Sequence, residues 1–220
     1  MKVKVIGYLL GVIVIVLVIP LALTSSIGAI NQQNIIIASS DNEKLDGIRP
    51  EGIKANDIYI VVGQEIDTYK NVPVYYNGTD FAKSFGESYA ADGYYFGLKW
   101  QCVEFVKRFY YTAKNHTMPD GFGNAKDFYD SKTTQGALNL RRGLLQYRNG
   151  GNVKPQPDDI LVFTDTKYGH VGIITKVTST SVEIIQQNEA KSRETYPLQL
   201  SNGRYIVGSS RKPACWLRIP

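Results

Sequence analysis

Histidine and cysteine are scarce in this chain of 220 residues: His116, His170, Cys102 and Cys215 are the whole supply. Two histidines 54 residues apart leave no group with the number and spacing of ligands that zinc requires. No glycine-rich loop of the phosphate-cradling kind is present either, so no cofactor is expected. Charge of one sign is not concentrated. Lysine and arginine number 25 against 20 acidic residues, a net charge of +5, but they are scattered and form no block that reads as a nucleic-acid patch. The modest basic excess, with a pI near 9.0, instead suits contact with acidic polymers or anionic lipid. With 43% hydrophobic and 20% charged residues, the composition is that of one ordinary globular domain, and wholesale disorder is excluded.

One long apolar run is present, and it lies at the start. Val5–Leu23 carries no charge and is preceded by Lys2 and Lys4. Its length is nearer the ~20 residues of a membrane-crossing helix than the core of a signal peptide. The lysines on its N-terminal flank orient the rest of the chain outward. Residues 1–30 are therefore expected to be a signal anchor or signal peptide, giving a membrane-anchored or secreted protein. Residues 31–55 are polar and read as a linker, and 56–220 as the domain. In an oxidising compartment a Cys102–Cys215 disulfide is one reading of the two cysteines.

Within the domain, Cys102, Phe105, Val106, Phe109 and Ala113 recur at helical spacing, placing Cys102 in the first turn of an amphipathic helix. Glu104, Lys107, Arg108 and Tyr111 are expected on its outer faces. Further helices are expected over 125–136 and 138–147. Strands are expected at 58–62, 72–76, 160–163, 170–177, 181–187, 204–207 and 215–219. Helices first and a mostly antiparallel sheet afterwards make an α+β domain.

A helix N-terminus carries partial positive charge and unpaired N–H groups, so a cysteine there is drawn towards thiolate. Its base must be a histidine. His116 lies 14 residues after Cys102, ~21 Å along a continuous helix at 1.5 Å per residue, and is out of reach. His170 opens the strand HVGIITKV behind Gly169. In the next strand, period-2 alternation sets Gln186 and Asn188 on one face beside it. An amide there can orient the imidazole, the arrangement of thiol hydrolases. The same parity places Glu183 and Glu189 on the opposite face.

The segments GLKWQCVEFVKRFYY, PQPDDILVF, YGHVGIITKV, VEIIQQN and CWLRI, in that order over residues 57–219, resemble the CHAP domain, the cysteine, histidine-dependent amidohydrolase/peptidase family. Within it they look most like the amidase domain of bifunctional glutathionylspermidine synthetase/amidases. The resemblance implies a papain-like α+β fold with helices packed on the sheet, Cys102 as nucleophile and His170 as general base. It implies an orienting pair at Gln186 and Asn188, where the family usually has Glu-x-Asn; the chain departs at Gln186. The backbone N–H of Cys102, joined by Gln101, is the expected oxyanion donor. Cys215 is then a buried small hydrophobe. Export and net charge point the activity to amide bonds of peptidoglycan peptides. A glutathionylspermidine-type amidase, or a wall-binding module with a degenerate site, are the alternatives.

Overall fold

The computed structural model describes residues 35–37 and 58–220. The segment 1–30 and most of 31–55 lie outside the described residues. Among the described residues no helix is long and apolar enough to cross a membrane.

Strand β1 (Ile35–Ile37), inside the stretch read as linker, pairs in parallel with β2 (Ile58–Ile60). A hairpin of β3 (Glu65–Tyr69) and β4 (Val72–Tyr75) comes after it. Its two-residue turn, Lys70-Asn71, has φ of 49° and 62°, the left-handed pair that matches strand twist. A second hairpin joins β5 (Glu87–Tyr89) to β6 (Tyr95–Leu98). Helix α1 (Cys102–Lys114) comes next, then a 3₁₀ turn at Ala125–Phe128.

The rest is sheet: β7 (Leu138–Asn139), β8 (Leu144–Arg148), β9 (Ile160–Phe163), β10 (His170–Val177), β11 (Ser181–Gln186), β12 (Arg193–Ser201), β13 (Arg204–Val207) and β14 (Cys215–Arg218). Their spatial order is β13-β12-β11-β10-β9-β14-β8-β7. Every pairing in it is antiparallel, and the sheet curls into a half-barrel.

Alternation along β9 divides the core. Ile160 and Val162 join Val171, Ile173, Leu217 and the apolar side of α1 on one face. Leu161 and Phe163 join Ile174, Ile184, Tyr196 and Trp216 on the other. Both faces of the central strands are thus covered, which is why ILVF reads as an unbroken apolar run.

The described residues hold one α-helix, where the sequence pattern predicts three helical stretches. Residues 138–147 form two strands and a turn. Gly143, at φ 65°, turns the chain so that β8 pairs with β14, and a helix there would leave that strand edge open. Only one turn of 125–136 is helical. Beyond it Asp130 bonds the Lys132 N–H and the Thr133 hydroxyl, a local turn that competes with helix. The pattern also hides strand β12, because Pro197 and its charged neighbours mask it. Finally, Glu104 and Lys107 are fully buried rather than outward-facing. Gly97 of β6 crosses α1 so closely that a Cβ there would stand 3.2 Å from the Glu104 backbone, and β4 covers another side of the helix.

Candidate active site

Helix α1 starts abruptly. Gln101, in extended conformation, precedes it, and Cys102 is its first residue. The start is held by Gln187, a buried side chain just past β11. Its amide donates to the Gln101 carbonyl (3.0 Å) and to Glu104 Oε2 (2.8 Å), while its oxygen accepts the Tyr75 N–H (2.8 Å). The sheet therefore fixes the register of the helix mouth.

His170, only 4% exposed, opens β10 behind Gly169. The glycine has φ 73°, and a Cβ on it would meet Lys126 N at 2.4 Å and Phe163 O at 2.6 Å. No other residue allows the chain to enter β10 so tightly. His170 Nε2 lies 2.9 Å from Gln186 Oε1. The Gln186 amide nitrogen donates to Lys191 O (3.0 Å) and Glu194 Oε2 (3.4 Å), so its oxygen is the atom turned to the ring. The proton accordingly sits on Nε2, and Nδ1 keeps a lone pair.

Cys102 and His170 both line one cavity of about 610 Å³, together with Gln101, Asn188, Glu189 and Arg211. The sulfur accepts from the backbone N–H of Val171, the residue after His170. Burial dominates the thiol's titration and pushes it up to about 11, against the N–H groups of Val171 and Val103. The pull of the helix N-terminus towards thiolate is thus outweighed. Burial also lowers the His170 imidazole, with Arg211 adding to it and Glu189, Gln186 and Glu194 opposing. Both groups are neutral near pH 7, a thiol and an imidazole lining one cavity rather than a preformed ion pair.

The remaining site residues fall elsewhere. Asn188 does not contact His170: its Nδ2 donates to Gln101 Oε1 (2.6 Å) and Phe81 O (2.9 Å), and its Oδ1 accepts from Asn77 (2.7 Å). Gln101 lines the cavity, but its amide nitrogen is committed to Lys83 O (2.7 Å). The N–H groups of the first turn of α1 have no carbonyl partner within the helix, and those of Cys102 and Val103 lie against the sulfur. Both cysteines are free thiols, so the disulfide reading is set aside; Cys215 is buried in β14. His116 comes after the left-handed Asn115 at the end of α1 and holds Arg142 O at 2.8 Å.

Sequence parity misplaces Glu189. Strand β11 ends at Gln186, and Asn188 takes φ 63°, which breaks the alternation. Glu189 Oε1 comes to 3.6 Å from His170 Nδ1 and 3.4 Å from Arg211 Nη1. An asparagine just past a strand end was the available signal, since it tolerates left-handed backbone.

Comparison with known proteins agrees with this geometry. Residues 93–188 match the CHAP domain. Trypanothione synthetase of Crithidia fasciculata is 32% identical over 121 residues, 54% of this chain and 18% of that protein. Bifunctional glutathionylspermidine synthetase/amidases of Escherichia coli (strain K12) and Shigella flexneri are each 34% identical over 104 residues, 44% of this chain and 16% of theirs. The chain spans less than a fifth of the length of these curated relatives. The matched segment holds Cys102, His170 and the strand that orients the imidazole, and residues 93–188 are a CHAP domain.

Proposed function

We propose that the protein is a papain-like cysteine amidase of the CHAP type, exported or membrane-anchored, acting on amide bonds of peptidoglycan peptides. One observation carries the reading: a helix-mouth thiol and an amide-oriented imidazole open into the same cavity. In the mechanism His170 Nδ1 takes the Cys102 proton as the sulfur attacks the amide carbonyl. The resulting oxyanion lies at the first N–H groups of α1. The imidazolium then protonates the leaving amine, and a water molecule hydrolyses the thioester with His170 again as base.

Phe81, Leu98, Phe122 and Tyr168 line the cavity and stay 43–71% exposed. Such an apolar rim suits a substrate longer than the cavity itself. The apolar N-terminal run and the net positive charge favour an anionic wall polymer. The relatives named glutathionylspermidine synthetase/amidase support a second reading, cleavage of a glutathione–polyamine amide.

Incubating the protein with purified peptidoglycan and, separately, with glutathionylspermidine decides between these. New free amino groups on the wall material, lost in Cys102→Ala and His170→Ala, are expected. Spermidine release alone establishes the second reading. No amine from either, with the fold intact, leaves a binding module.

A further inference from the structure

Glu189 is the one carboxylate within 4 Å of the reactive nitrogen of His170 among the described residues. The side of the ring that a triad acid would occupy is taken by Gln186, which is neutral. The cavity side carries the negative charge instead. Glu189 is held by Arg211 at 3.4 Å, and Arg211 is held by Asp165 at 3.0 Å with its guanidinium 4.5 Å over the Phe163 ring. Phe163 is the cross-strand partner of His170. The carboxylate therefore stands on a braced support.

We propose that Glu189 is a positioning residue for the amidase reaction: it supplies, from the Nδ1 side of His170, the negative charge that Gln186 cannot, and stabilises the imidazolium formed during turnover. The proposal rests on the hydrolase reading above. The proton balance is simple. As the C–S bond forms, the thiol proton moves to Nδ1 and the imidazole gains a positive charge. As the C–N bond breaks, that proton leaves on the amine. Glu189 stays a carboxylate throughout and neither gives nor takes a proton.

The geometry decides the sign. An opposite charge within about 4–6 Å typically shifts a titrating group by one unit or more. Among the described residues, four titratable or charged groups face His170: Cys102 from α1, Glu189 beyond β11, Glu194 from β12 through Gln186, and Arg211 from the segment before β14. Glu189 disfavours the Cys102 thiolate as well. It thus holds the resting thiol protonated and favours the imidazolium that turnover creates, while burial keeps the resting ring neutral.

The primary readout needs no substrate. The chain has only two histidines, so the Cε1–H resonance of His170 can be titrated by NMR in the full-length protein with His116 as internal reference. Glu189→Gln is expected to move the His170 midpoint down by about one pH unit, leaving His116 in place, and to move the acid limb of kcat/KM equally. Adding Gln186→Glu to that variant returns a carboxylate to the opposite nitrogen and is expected to restore the midpoint. A shift under about 0.2 unit in Glu189→Gln, or a double variant that stays with the single one, would overturn the proposal. A midpoint that shifts in a protein hydrolysing no amide would remove the hydrolase reading and leave the coupling standing.

Discussion

Gln186 turns its carbonyl oxygen to His170 Nε2 at 2.9 Å because its own amide nitrogen is spent on Lys191 O and Glu194. A glutamine in this place holds the imidazole in one tautomer without adding charge. The lone pair is left on Nδ1, the nitrogen that Glu189 approaches at 3.6 Å. Replacing the amide by the similarly sized Gln186→Leu removes the hydrogen bond and frees the ring to rotate. Loss of correctly placed acid–base catalysis is worth on the order of 10²-fold in kcat. Steady-state kinetics on the released amine should show that loss with KM little changed; an unchanged kcat would show that the amide does not orient the base.

The state of the thiol can be read without a substrate. Burial pushes Cys102 up to about 11 and lowers His170. For an acid whose buried neutral form is favoured, the anion appears only as pH rises. Iodoacetamide labelling of Cys102 should therefore climb about tenfold per unit between pH 6 and 9, in step with the thiolate fraction. A preformed thiolate–imidazolium pair would instead give a plateau across that range. Mass spectrometry distinguishes Cys102 from Cys215, which is buried still deeper and should label last.

The legible parts of this fold were those fixed by local pattern. Helical spacing placed Cys102 at the first residue of α1, and apolar runs marked β9, β10, β11 and β14. The segment 138–147 was not legible because its alternation, Leu144 and Gln146 inward, serves a partner strand about 70 residues away. Glu104 and Lys107 look solvent-facing in sequence because polarity stands for exposure only where nothing covers a helix. Glu189 was lost for a third reason. Parity was carried three residues past the true strand end at Gln186, and one left-handed asparagine reverses the side on which the next side chain lies.

Gly169 is the residue on which the placement of His170 depends most directly. Its φ of 73° and the 2.4 Å approach of Lys126 N leave no room for a methyl group. In Gly169→Ala both the backbone and the neighbouring 3₁₀ turn must move, and the atoms in the way are main chain, which cannot swing aside. A stability loss of about 2 kcal/mol is expected, roughly 4–8 °C in Tm for a domain of this size. Calorimetry and amine release together check it. Activity should fall further than the unfolded fraction explains, because β10 enters the site displaced.

The ion pair within α1 gives the last test. Glu104 is fully buried and accepts from Arg108 Nε (2.6 Å) and Nη2 (3.2 Å), Ser88 (3.1 Å) and Gln187 (2.8 Å). Four donors around one carboxylate satisfy the buried charge. Removing the carboxylate leaves a part-buried guanidinium without its counter-charge, though still bonded to Pro73 O, and takes one acceptor each from Ser88 and Gln187. Breaking such a pair from one side costs about 3 kcal/mol or more, so Glu104→Leu should lower Tm by roughly 6–12 °C. The loss also reaches the site. Gln187 bridges Glu104 to the Gln101 carbonyl, immediately before Cys102, so kcat should drop in the folded fraction as well. Glu104→Gln, which keeps one acceptor oxygen, should lie between the variant and the parent in both measurements. Equal stability of Glu104→Leu and the parent by thermal melt would mean that the helix mouth is held by packing alone.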